Sequence, residues 1–231
     1  MNKNIKIART VGVLFIIGTV AGILSLSGAT ILDDPNYLTK TAENQNMVVL
    51  GALLILTMGI SLSSMTVVLF PVIKKYNETL ALGALVFRGV LELVCYVASA
   101  VSWLLFIALS RNFVNAGTPA ISNYQLMGIM LKDDRFLMGE ITAIVFSIGA
   151  LFIYYIFYKT KLIPRWLSLW GLAGAIIYLA DGIVCLFMFN TELEFFKYIL
   201  GVQEMVMAGW LIVKGFNASA FNALMPENKK E

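Results

Sequence analysis

The run Leu80–Leu109, LALGALVFRGVLELVCYVASAVSWLLFIAL, decides how the rest of the chain is read. It is longer than the ~20 apolar residues that cross ~30 Å of hydrocarbon, and its only charged side chains are Arg88 and Glu92. Working outward, five further stretches have the same character: Ile7–Leu26, Met47–Phe70, Phe136–Tyr158, Trp166–Phe189 and Phe195–Val213. None shows the period-2 alternation of barrel strands. A backbone without water must bond to itself, so each stretch is expected to be a helix. The expected fold is an all-α membrane protein, a six-transmembrane-helix bundle forming one transmembrane domain over residues 1–231. Turn residues punctuate it at Asp33-Asp34-Pro35-Asn36, Phe70-Pro71, Gly117-Thr118-Pro119 and Ile163-Pro164.

Composition excludes the alternatives. Hydrophobic residues make up 59% of the 231 and charged residues 13%, against about 25% charged in soluble domains. Histidine is absent, which removes HExxH zinc sites, Ser-His-Asp triads and His-ligated haem together. Cys95 and Cys185 lie inside apolar runs without CxxC spacing and read as membrane-buried thiols. No cofactor is expected, and catalysis is not the first expectation.

Eleven Lys and Arg fall at one set of ends: Lys3, Lys6, Arg9, Lys74, Lys75, Lys159, Lys161, Arg165, Lys214, Lys229 and Lys230. The other ends carry five, Lys40, Arg111, Lys132, Arg135 and Lys197, which share their loops with seven acids. The positive-inside rule then puts both termini in the cytoplasm. Tyr154, Tyr155, Tyr158, Trp166 and Trp170 are expected to form an aromatic belt at the inner interface. The net charge of +3 is thus a topology signal, and nucleic acid is not an expected partner. Lys3, Lys6 and Arg9 before an apolar run ending in Ser27-Gly28-Ala29 also have the look of a signal peptide. The run is longer than an h-region and holds the helix-contact pair Gly18 and Gly22, so a retained helix is expected.

Several motifs mark the ends of the spans: Arg9-Thr10-Val11-Gly12-Val13-Leu14-Phe15, Leu69-Phe70-Pro71-Val72-Ile73-Lys74, Asn77-Glu78-Thr79-Leu80-Ala81 leading to Phe87-Arg88, Ile163-Pro164-Arg165-Trp166-Leu167, and Trp210-Leu211-Ile212-Val213-Lys214-Gly215. Together they resemble a bacterial polytopic membrane-protein family catalogued as domain of unknown function 4386. The resemblance covers nearly the whole chain. It implies a multi-pass protein of the bacterial cytoplasmic (inner) membrane with about six helices, and it carries no activity and no site residues.

Function must therefore be read from the ionisable residues placed in the membrane: Arg88, Glu92, Glu140, Asp181 and Glu204. Each costs about 2.5–3.5 kcal/mol at a helix centre. At ~1.5 Å rise per residue the four carboxylates fall within roughly 6 Å of one level, in the outer half of the bilayer. Four acids against one cation cannot all ionise in low dielectric. Protonation, a bound cation or a water-filled cavity is required, and the five residues form the candidate ion or substrate cavity.

The faces around them are small and weakly polar. Arg88, Glu92, Cys95, Ser99 and Ser102 share one stripe, as do Gly171, Gly174, Tyr178, Asp181 and Cys185. Glu140, Ala143, Ser147 and Tyr154 form another, Gly201, Glu204 and Ala208 a fourth, and Thr57, Ser61 and Ser64 a fifth. The same residues have plainer readings: Arg88–Glu92 as an i,i+4 pair, Gln203 and Glu204 as ties between helices, small stripes as packing. A thiolate–carboxylate metal site at Cys95 or Cys185 is conceivable, but inert thiols are the commoner case, so no metal is expected. Glu92-Leu93-Val94-Cys95 echoes Asp181-Gly182-Ile183-Val184-Cys185 and hints at three helical hairpins. Arg111–Arg135 is the longest connection, a cap or a solvated link.

Three functions compete. The first is a carrier whose carboxylates hold a cation, proton or small-molecule substrate. The second is a non-transporting sensor or accessory subunit that meets a membrane-protein partner or a second copy of itself. The third is an intramembrane enzyme, disfavoured by the missing histidine. The lipid bilayer is a partner in all three.

Overall fold

A computed structural model describes residues 3–116, 121–188 and 194–226. The turn expected at Gly117-Thr118-Pro119, the end of the fifth span at Phe189, and Lys229 and Lys230 lie outside them. The described residues are all-helical in class, 90% of the structure being helix joined by short turns, with no strand among them. The order is α1 (Lys3–Asp33), α2 (Tyr37–Glu43), α3 (Gln45–Ile73), α4 (Glu78–Ala84), a π-helical segment (Leu85–Leu91), α5 (Glu92–Asn115), α6 (Ile121–Thr160), α7 (Arg165–Phe187), α8 (Glu194–Val213) and α9 (Ala218–Leu224). Five helices are long and apolar enough to cross a membrane, α4 through α5 counting as one. A sixth candidate is the pair Ile199–Val213 and Ala218–Leu224, bent by 85°.

Local chemistry sets the breaks. Asn77 caps α4 by accepting from the Leu80 amide at 2.9 Å. Asn217 caps α9 by accepting from the Ser219 amide at 3.0 Å. Gly215 takes φ +74° just after α8, the left-handed step that stops a helix and costs glycine nothing. Asp34 accepts from Lys40 at 2.5 Å and from the Asn36 amide at 2.8 Å. The Lys40 bond first, then that amide, holds its carboxyl below the ordinary range.

Two expectations need correction. Arg111–Arg135 is no loop: α5 runs to Asn115 and α6 starts at Ile121, so the fourth span is a helix of 40 residues, or about 60 Å. Three of the four charges that suggested a link are engaged by neighbouring helices. Arg135 pairs with Asp33 at 2.5 Å, Asp134 accepts from Ser102 at 2.8 Å, and Lys132 sits 4.3 Å over the Tyr37 ring. Tyr154 is no belt residue either. It is 1% exposed and donates to Gln203 Oε1 at 2.7 Å, while Tyr155 and Trp166 do face outward.

The apolar interior falls into two clusters. The larger holds Phe15, Leu69, Phe157, Leu167, Leu211 and Phe216. The smaller holds Leu32, Val48, Ile55, Ala100, Trp103 and Phe106. Glycines bring α1 against its neighbours: a Cβ on Gly12 would lie 2.7 Å from the Ala208 carbonyl of α8, and one on Gly18 2.9 Å from Leu62 of α3. Such close approach is how small residues join helices where lipid removes the hydrophobic drive. Outward lie Ile23, Leu53, Ile60, Val67, Val94, Val101 and Ile176, as a lipid-facing surface requires.

A candidate intramembrane ion site

The third span changes pitch where its charge sits. Over Leu85–Leu91 it is π-helical, and the Glu92 amide bonds to the Phe87 carbonyl, an i→i−5 step. Single π turns inside α-helices are uncommon and concentrate at functional sites. One inserted residue turns everything beyond it by about 100° relative to an unbroken α-helix. The segment is held by α6 at Gly149, where a Cβ would come 2.6 Å from the Arg88 nitrogen.

Arg88 is 1% exposed and bonds two carboxylates. Its Nη1 donates to Glu92 Oε1, and its Nη2 donates to Glu204 Oε1 of α8 at 2.9 Å. The guanidinium lies 4.2 Å from the Phe146 ring centre and 5.9 Å from that of Phe15. Burying one charge in hydrocarbon is expensive, and a planar guanidinium fork shared by two carboxylates is the arrangement that offsets it. The Tyr96 hydroxyl faces Glu92. Beside Glu204, Gln203 ties three helices: it accepts from Tyr154 and donates from Nε2 to the Leu167 carbonyl at 3.0 Å.

The triad opens on a cavity of about 490 Å³ between the two apolar clusters. Arg88, Tyr96, Ser99, Trp103, Tyr178 and Glu204 line it. Glu204 is 12% exposed against 1% for Glu92, so it is the carboxylate that meets the cavity. Towards the end of the bundle where α1 finishes, the lining includes Arg135, whose Nη1 finds no hydrogen-bond partner among the described residues. Gly139 and Gly201 also border the space, and a Cβ on either would meet nothing within 4 Å. Those two positions keep the cavity wide.

The five residues singled out from charge therefore fall into two groups. Arg88, Glu92 and Glu204 come together. Glu140 and Asp181 are not among the cavity-lining residues; both are buried on the seam between α6 and α7, with Cys185. Of the polar stripes, Ser99 reaches the cavity, Ser102 bonds Asp134, and Ser61 donates to the Leu14 carbonyl at 2.8 Å. Thr57 is exposed and bonds its own helix at Leu53. Tyr96, Trp103 and Arg135 were not singled out as cavity residues by sequence. Tyr96 lies four residues past Glu92 on the same face of α5, and that i,i+4 spacing was the signal that could have found it.

With one guanidinium and two carboxylates, the triad holds an excess negative charge when all are ionised. It can take up a proton or a cation at Glu204, the carboxylate with access. No curated protein and no solved structure matches this chain. A family model does, across residues 10–215, and the chain accordingly belongs to the family described as Domain of unknown function (DUF4386).

Proposed function

We propose that this multi-pass membrane protein is carrier-like and binds a cation or proton in its intramembrane cavity at the Arg88–Glu92–Glu204 triad. The observation that carries the reading is a fully buried arginine shared by two carboxylates, one of which faces the cavity. Ionisable groups in that position are expensive and mark ion or substrate paths. A π turn at the same residue supports it, because such turns inside α-helices are found most often at functional sites. In this reading the protein lies in a bacterial inner membrane with both termini cytoplasmic, as the excess of Lys and Arg at those ends favours.

The test is proton-coupled uptake in proteoliposomes made with the full chain. A pH dye inside the vesicles is followed on adding sodium, potassium or tetramethylammonium under an imposed gradient. The proposal expects flux with at least one cation, and its loss in Glu204→Gln with thermal stability kept. Equal flux in wild type and Glu204→Gln overturns it, as does no flux above protein-free vesicles.

A second reading, a sensor or accessory subunit, is favoured by a separate feature. Leu126, Met127, Ile129 and Met130 of α6 are all more than half exposed, on the part of the helix beyond the expected fourth span. Recovery of one membrane protein in constant ratio with the chain, together with absence of flux, would select it.

A further inference from the structure

Across the α6–α7 seam, Glu140, Asp181 and Cys185 each offer a ligand atom, and these atoms lie within 4.8 Å of one another. The fold builds this cluster locally. Asp181 and Cys185 are i,i+4 on α7 and so share a face. Gly182 beside them lets α7 close on α6, since a Cβ there would already touch the Glu140 carbonyl at 3.4 Å. Asp181 is 4% exposed. Its Oδ1 lies 3.8 Å from Cys185 Sγ, and its Oδ2 has no hydrogen-bond partner among the described residues. It makes no ion pair with a described residue. A buried carboxylate with an unused oxygen beside a thiol is costly unless something positive joins it.

We propose that Glu140, Asp181 and Cys185 form a metal site for a zinc-class divalent ion, separate from the Arg88 triad. The chemistry of the donors selects the ion. One thiolate and two carboxylates suit a borderline-soft cation, and three protein ligands leave a fourth position for water. Magnesium and calcium want six or more oxygens and do not take sulfur. In a chain without histidine, cysteine is the residue left to supply the soft donor that zinc takes. The Sγ–Oδ1 distance of 3.8 Å is close to the ligand–ligand spacing of a tetrahedron with bonds of about 2.0–2.3 Å. On binding, the Cys185 thiol gives its proton to water and its sulfur lone pair to the metal. The cluster sits near the end of α7: Cys185 lies two residues before Phe187, where the helix ends and the side chain is 86% exposed.

The experiment uses the purified full chain in detergent, stripped with chelator and then equilibrated with buffered zinc or cobalt. Expected are about one zinc per chain by elemental analysis and, with cobalt, a near-ultraviolet thiolate-to-metal absorption band. Cys185→Ser should abolish the band, and Asp181→Asn should weaken zinc at least about tenfold. Cys95→Ser and Glu204→Gln should leave both readouts unchanged, which separates this site from the cavity and from its transport test. A wild-type chain that takes up no zinc, its acids simply protonated, overturns the proposal. So does a cobalt band that survives Cys185→Ser or disappears with Cys95→Ser.

Discussion

At the scale of single residues, Arg88 and its two carboxylates must be judged as a unit. Removing the cation alone, as in Arg88→Met, leaves Glu92 and Glu204 facing each other in low dielectric without their donor. Breaking a buried pair in this way costs about 3–5 kcal/mol. Arg88→Met should therefore lower the stability measured by thermal unfolding in detergent, while the triple variant Arg88→Met, Glu92→Gln, Glu204→Gln should recover most of the loss. A triple variant no better than the single one would show that shape rather than charge holds the helices there. Tyr154→Phe is a milder case. It strips the donor from the buried Gln203 Oε1, so a loss of about 1–3 kcal/mol is expected in the same measurement. The sequence singled out Arg88, Glu92 and Glu204 because charge is conspicuous in an apolar run. It could not separate them from Glu140 and Asp181, because depth along a helix says nothing about which neighbour a side chain faces. Tyr154 was misplaced for a related reason: closeness to a charged loop resembles closeness to the membrane surface.

At the scale of elements, the π segment and α6 depend on each other. Gly149 lets α6 pass the Arg88 backbone, where a Cβ would stand 2.6 Å from nitrogen and 2.7 Å from the Arg88 Cβ. Backbone cannot step aside as a flexible side chain does, so Gly149→Ala should destabilise by about 1–3 kcal/mol, the usual cost of overpacking. Gly201 is the contrast. Its missing side chain leaves open space, so Gly201→Leu should unfold within about 0.5 kcal/mol of wild type while filling the cavity and abolishing any cation flux. Thermal unfolding and vesicle uptake on the same two variants check both halves, and a Gly201→Leu protein with full flux would separate the cavity from the activity. The spans themselves were legible because an apolar run of twenty residues has few other uses. The π turn was not, since the single glycine of Leu85–Leu91, Gly89, is ordinary in a membrane helix and the extra residue is accommodated by packing against Gly149. The helical start of α6 was hidden by Lys132-Asp133-Asp134-Arg135, whose charges read as solvated until Asp33, Ser102 and Tyr37 are seen to receive three of them.

At the scale of the whole molecule, the two ends of the bundle's chain path meet. Asn4 donates to the Phe216 carbonyl at 3.1 Å, and Arg9 Nε donates to the Ile212 carbonyl at 3.0 Å. The start of α1 and the end of α8 therefore lie at one end of the bundle. A path that begins and finishes on one side crosses an even number of times, and the five unambiguous helices make an odd number. An even count is met when α8 makes a sixth crossing, with α9 bent away from it by 85°. Phe221 of α9 stacks on Phe216 at 6.2 Å and fastens it there. Cysteine labelling tests this directly. In a Cys95→Ser, Cys185→Ser background, single cysteines at the exposed positions Lys6 and Asn222 should resist a membrane-impermeant maleimide in intact bacteria. Those at the exposed Asn115 and Gln125 should react, and all four should react once the membrane is opened. Different protection at Lys6 and Asn222 would break the even count. Reaction at both, with Asn115 and Gln125 protected, would keep the six crossings and reverse the orientation drawn from the Lys and Arg distribution.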